Sequence, residues 1–113
     1  MHELGLIYQV IKTVDEVKHE QNLTEIESIT LQIGEMSDVV PKFITQAWEN
    51  AKISTAYADT KLLVETVKAR AKCNDCGHIH DVRDIDFICP QCGSLKLSIV
   101  SGREFLIKEI VAK

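Results

Sequence analysis

The chain has 113 residues, a length that suits one compact domain or one domain that carries a small module. Apolar residues make up 45% and charged residues 27%, as is typical of a soluble globular protein. The formal net charge of −4 and the pI near 5.5 argue against a general nucleic-acid binder, whose surface is normally basic.

The first ten residues show neither the basic start nor the long apolar run of a secretory signal. The chain also has no run of about 20 apolar residues, the length that spans a bilayer. We therefore expect a cytoplasmic protein that is not inserted into a membrane. In a reducing cytoplasm, cysteines arranged as CxxC pairs are more typical of metal ligands than of disulfides.

An amphipathic helix is predicted over about residues 3–20, because apolar side chains recur there on one face. These side chains are Leu4, Ile7, Ile11 and Val14, with Val10 and Val17 beside them. A strand is predicted next, since apolar and polar residues alternate from Ser28 to Ile33 and Gly34 ends the pattern. We expect this strand to be buried on one face.

A second helix is predicted to begin at Pro41, after the turn residues Ser37 and Asp38, and to end near Ile53. The apolar face of this helix is expected to comprise Phe43, Ala47, Trp48 and Ala51. The polar residues 54–60 then predict a loop.

Two more strands are predicted, one near residues 61–68 and one over residues 105–111. The last strand should rejoin the first domain, because a lone terminal strand could not bury its apolar face. The predicted fold is α+β, with two helices packed on a small three-stranded mixed sheet and an inserted four-cysteine, zinc-ribbon-like module. Residues 1–68 plus 99–113 would form the α+β domain, and residues 69–98 would form the module.

Four cysteines occur in two CxxCG turns, namely Cys73 with Cys76 and Cys89 with Cys92. Two thiolates at this spacing can hold one ion from a tight turn, and the following glycine lets the backbone fold back. Four thiolates are the ligand set of a closed, tetrahedral structural zinc site. We therefore predict one bound Zn²⁺ at these four residues.

Other interpretations of the module stay open on sequence grounds. The cysteines could be unliganded or redox-active thiols, or could hold iron as in a rubredoxin-like centre. His78 and His80 are expected to be solvated bystanders, although either could replace a thiolate.

Few apolar side chains are available for a core within the module, so it should depend on its ion for folding. They are Ile79, Val82, Ile85, Phe87 and Ile88.

A second candidate metal site lies at the N-terminus, where Met1, His2 and Glu3 precede the first helix. The amine of Met1, the amide nitrogen of His2 and its imidazole Nδ1 can form fused chelate rings. Such planar nitrogen ligation suits Ni²⁺ or Cu²⁺. Glu3 or a more distant acid such as Asp38 would supply a fourth ligand. The helix dipole opposes a cation here, and the Glu3 carboxylate would offset that effect.

Taken together, these motifs resemble the HypA/HybF family of hydrogenase nickel-incorporation proteins over essentially the whole chain. The resemblance rests on the Met-His-Glu start, the two CxxCG turns and two short segments. One segment follows the first predicted strand, and the other precedes the last. Those segments are Ile33-Gly34-Glu35-Met36-Ser37 and Ser101-Gly102-Arg103-Glu104.

The resemblance implies a nickel metallochaperone that helps mature the large subunit of [NiFe] hydrogenase and, in some members, urease. It implies that Met1, His2 and Glu3 bind the nickel cargo, which makes residues 1–68 plus 99–113 the nickel-binding domain. It also implies structural zinc at the four cysteines. The implied partners are the HypB-type maturation GTPase, the hydrogenase large subunit and urease accessory proteins. Family members commonly carry serine where this chain has Gly5.

Three alternatives remain at the level of sequence. A zinc-ribbon interaction module would have no nickel role and would not need His2. A rubredoxin-like electron carrier would be isolated with iron. An enzyme is the least expected class, because a closed site of four cysteines has no open coordination position. Glu35 and Glu104 are isolated acids, which we expect to lie at the surface or anchor loops.

Overall fold

The first helix, α1, spans Glu3–Glu20 in a computed structural model that describes residues 3–84 and 87–113. Ile7, Val10 and Val14 are almost completely buried on its inner face, which confirms the predicted amphipathic helix. Leu4 was predicted on the same face but is 41% exposed. It lies in the first turn, at the edge of the buried stripe.

The other helix and the six strands follow, and outside the cysteine region their order agrees with the predicted pattern. They are β1 (Ile26–Gly34), α2 (Pro41–Ala51), β2 (Lys61–Val67), β3 (Arg70–Cys73), β4 (Ile79–Asp81), β5 (Leu97–Ser101) and β6 (Phe105–Ala112). Pro41 occupies the first turn of α2, where a missing N–H is tolerated. Short 3₁₀ turns follow α2 at Lys52–Ser54 and β4 at Val82–Asp84.

The first sheet has the strand order β2-β1-β6, with β1 parallel to β2 and antiparallel to β6. The predicted three-stranded mixed sheet is therefore confirmed, and the last strand does rejoin the first domain. Because β1 is central, Ile29, Leu31 and Ile33 are almost completely buried, and Thr30 is only 8% exposed. The strand is thus less exposed on its polar face than alternation predicts.

The buried face of α2 differs from the predicted one. Ile44, Trp48 and Ala51 are buried, whereas Phe43 is 48% exposed, so the prediction for Phe43 was wrong. Residues at positions 44, 48 and 51 follow the spacing of four and three that places side chains on one helical face. Phe43 precedes this stripe by one residue, or about 100° of helical rotation, and points away from the core.

The predicted polar loop at residues 54–60 contributes to the core instead of lying wholly on the surface. Tyr57 and Thr60 are 2% and 3% exposed. The indole Nε1 of Trp48 donates to the Thr60 carbonyl at 3.2 Å, and the Thr60 hydroxyl donates to the Ile26 carbonyl at 2.7 Å. The Tyr57 hydroxyl donates to Asp15. Burial of the hydroxyl is the larger cause of the raised pKa of Tyr57, and this bond is the next. These bonds fasten the loop between α2 and β1.

The second sheet is antiparallel, with the order β4-β3-β5. We call the part of the chain that contains β3, β4, β5 and both CxxCG turns the cysteine module. The boundary predicted at residue 98 falls inside β5, and the division into two domains stays a prediction. Ile79, Phe87 and Ile88 are 53%, 62% and 48% exposed, so the module does not use them as a core. The whole molecule is elongated, with extents of 53 × 29 × 17 Å.

Candidate metal centres

The four cysteine sulfurs come together in one cluster, with all Sγ atoms within 4.8 Å of one another. The Cys73 and Cys92 sulfurs are 3.6 Å apart, and those of Cys76 and Cys89 are 3.7 Å apart. Four sulfurs at about 2.3 Å from a central Zn²⁺ would be about 3.8 Å apart along each tetrahedral edge. The cluster therefore has the ligand set and the dimensions of a tetrahedral metal site.

Each CxxCG turn holds its cysteines through the same backbone pattern. The amide of Gly77 donates to the Cys73 carbonyl at 2.8 Å, and that of Gly93 donates to the Cys89 carbonyl at 2.7 Å. Both glycines have a positive φ, at 79° and 77°, which a residue with a Cβ adopts only with strain. Local sequence thus determines both halves of the site.

Contacts between the two turns bring the halves together. Asn74 donates through its backbone N–H to the Lys96 carbonyl at 2.8 Å, and its side-chain amide donates to Ser98 at 3.0 Å. The Ser94 hydroxyl donates to the Asp75 carboxylate. Asn74 and Asp75 are the variable positions of the first CxxC turn, and their partners follow the second turn, so the spacing of the cysteines carried no signal for these contacts.

Backbone amides favour a negative charge on the first cysteine. The N–H groups of Cys76 and then Asp75 point toward the Cys73 sulfur and lower the pKa of Cys73 to about 6, despite opposing burial. At Cys92, the Ser94 N–H lowers the pKa, but the Cys73 thiol and burial outweigh it and raise the pKa to about 12. Sulfurs this close cannot all ionise without a compensating charge, and a divalent cation supplies one.

His78 and His80 lie beside the cluster. The Nε2 atom of His80 is 3.4 Å from the Cys89 sulfur, and the two imidazole centroids are 4.0 Å apart. Burial, and then the neighbouring His78, lower the pKa of His80 and favour its neutral form. Residues 3–84 and 87–113 contain no other group of three or more metal-ligating side chains in ligating proximity.

The second predicted site lies partly outside the described residues, since Met1 and His2 are not among them. Glu3 is described, and it is 8% exposed although it carries a carboxylate. Its Oε1 is buried and has no hydrogen-bond partner among the described residues. Glu3 and Asp38 both line a groove of about 660 Å³, so the structure brings these two acids to one surface. Other groove residues include Leu4, Val40, Phe43 and Asn50.

The comparisons with known proteins agree with this arrangement. A family model described as "Hydrogenase/urease nickel incorporation, metallochaperone, hypA" matches residues 1–112. The hydrogenase maturation factor HypA of Chlorobium luteolum is 32% identical over 111 residues, covering 98% of this chain and 95% of that protein. HypA of Aquifex aeolicus is 28% identical over 110 residues, covering 97% and 96%.

Solved structures show the same fold. The solution structure of the nickel metallochaperone HypA from Helicobacter pylori superposes with a TM-score of 0.72 at 24% identity, covering 99% of this chain and 97% of that one. Another HypA solution structure gives a TM-score of 0.77 at 23% identity, covering 100% and 97%. No helix within the described residues is long and apolar enough to cross a membrane. The family model and the similar relatives show that the chain belongs to the HypA family of hydrogenase and urease nickel-incorporation metallochaperones.

Proposed function

We propose that this protein binds Ni²⁺ at Met1, His2 and Glu3 and delivers it to the [NiFe] hydrogenase large subunit in the cytoplasm. The single observation that supports this site best is the buried Oε1 of Glu3 at the start of α1, which has no hydrogen-bond partner within residues 3–84 and 87–113. A buried carboxylate oxygen without a donor is costly, and a cation beside it would offset that cost. Nickel is cargo in this proposal and is released again.

The cysteine cluster has a separate role in the proposal, as a structural Zn²⁺ site. Its four thiolates match the preference of zinc for sulfur in a closed tetrahedral site. A closed site offers no coordination position to a substrate, so the protein would act by metal transfer and not by catalysis. The zinc would keep the module folded during nickel transfer.

Transfer would proceed by stepwise replacement of ligands at a free chain end, which can move at little cost in free energy. The proposed partners are a HypB-type maturation GTPase and the hydrogenase large subunit. Urease accessory proteins would be alternative recipients, in keeping with the urease function in the description of the family.

Calorimetric titration of Ni²⁺ into the zinc-loaded chain with its native N-terminus tests the nickel site. We expect 1:1 binding, and an affinity at least about 100-fold weaker in His2→Ala, because loss of a group that merely orients a ligand already costs about 10–100-fold. Acid should also weaken binding, since the Met1 amine and the His2 amide must lose protons.

The matched control is His19→Ala, which removes an exposed imidazole from the other end of α1. This variant should bind Ni²⁺ as the unchanged chain does. Equal binding by the unchanged chain and His2→Ala, or no binding by either, would refute the N-terminal site. A zinc-stabilised interaction module without a nickel role would then be the better account.

A further inference from the structure

Three backbone segments meet where the first sheet joins the cysteine module. The amide of Gly34, at the end of β1, donates to the Glu104 carbonyl at 2.7 Å, and that of Met36 donates to the Gly102 carbonyl at 2.6 Å. A Cβ on Gly102 would lie 2.5 Å from the Cα of Ala69. The end of β1 therefore touches the connection out of the module, which itself packs against the connection into it.

Glu35 lies at this junction, and its side chain is only 15% exposed. Its Oε1 accepts the N–H of Ala69 at 2.7 Å, and its Oε2 forms an ion pair with Arg83. The backbone N–H of Glu35 also donates to the Val67 carbonyl at 2.9 Å. One residue thus binds the end of β2, the start of the module and the segment between the two CxxCG turns.

The shape of the molecule makes this junction important for the orientation of the module. The molecule is 53 Å long, and the two sheets share no strand pairing within the described residues. Among the ion pairs of that part of the chain, only the one between Glu35 and Arg83 joins the first sheet to the module. Without the Glu35 side chain, the two parts would be joined by their peptide connections and by backbone contacts close to the junction, such as that of Met36 with Gly102, which restrain the far end of the module less.

We propose that Glu35 is a positioning residue, which fixes the orientation of the cysteine module relative to the first sheet. With Glu35 in place, the groove lined by Glu3 and Asp38 and the surface of the module are presented to a partner in one fixed relative orientation. Without it, both parts stay folded but sample different relative orientations. This inference is independent of the proposed nickel site, because it concerns only the described residues 34–36, 67–69, 83 and 102–104.

Three variants remove different parts of the contact. Glu35→Ala removes both the acceptor for the Ala69 N–H and the ion pair. Glu35→Gln keeps a carbonyl oxygen for the Ala69 N–H and loses the charge, and Arg83→Ala removes only the cation. Arg83 is 80% exposed, so its loss should change the overall stability little. The matched control is Glu109→Ala, at an exposed acid on β6.

Residual dipolar couplings of the zinc-loaded full chain measure the orientation directly. In the unchanged chain and in Glu109→Ala, the amides of both sheets should fit one alignment tensor. In Glu35→Ala, we expect loss of this common tensor, with intact local structure in each part, and a partial loss in Arg83→Ala. A common tensor in Glu35→Ala would overturn the proposal. If Glu35→Ala does not fold, a common tensor in both Glu35→Gln and Arg83→Ala would overturn it.

Discussion

Removal of the metal from the cysteine cluster should unfold the cysteine module while the first sheet and its two helices remain folded. The module buries few apolar side chains, chiefly Ala69 and Ala71 beside the ligands Cys73 and Cys89. Structural Zn²⁺ sites contribute about 10–16 kcal/mol, far more than such small side chains can supply. The first sheet has its own continuous core, which includes Trp48 and does not include the module.

Hydrogen exchange followed by mass spectrometry measures this result segment by segment. After chelation, amides of residues 70–101 should lose protection, and amides of β1 and α1 should keep most of theirs. Cys76→Ser should give the same pattern without a chelator, because three thiolates and a hydroxyl bind Zn²⁺ less tightly. Val100→Ala, at an exposed side chain of β5, is the control and should retain protection. Uniform loss across the chain would show that the two parts fold as one unit.

Gly34→Ala should destabilise the protein strongly, by about 3 kcal/mol or more. A Cβ at residue 34 would lie 2.1 Å from the carbonyl carbon and oxygen of Gly102 and 2.6 Å from the backbone nitrogen of Arg103. These neighbours are backbone atoms, which cannot rotate away as a flexible side chain can. The clash would also break the hydrogen bond from the Gly34 N–H to the Glu104 carbonyl.

The same chemical change in α1 should have the opposite sign. A Cβ at Gly5 would have no neighbour within 4 Å, and alanine is favoured over glycine in a helix by up to about 1 kcal/mol. Urea unfolding of both zinc-loaded variants should therefore move the midpoint down for Gly34→Ala and up for Gly5→Ala. Equal shifts in both variants would contradict the close backbone approach at Gly34.

The sequence alone was sufficient for features that depend on neighbouring residues. Helix α1 and strand β1 were predicted because apolar periodicity reports which face of an element is buried. The cysteine cluster was predicted because the two CxxCG turns determine their own backbone geometry, including the positive φ of Gly77 and Gly93. The assignment of Met1, His2 and Glu3 as nickel ligands has a different basis. It was inferred from chelate chemistry and a family resemblance, and it stays a prediction.

Tertiary structure decided whatever depends on residues that are distant in sequence. Central placement of β1 buried Thr30, and packing of α2 selected Ile44 over Phe43 for the core. Tyr57 lies in the core, where its hydroxyl finds an acceptor in Asp15, 42 residues away. Glu35 was recognised from the sequence as an isolated acid that could anchor a loop, and only the fold brings it to Ala69 and Arg83. Such contacts leave no periodic signal, because each partner is chosen by chain topology and not by its neighbours.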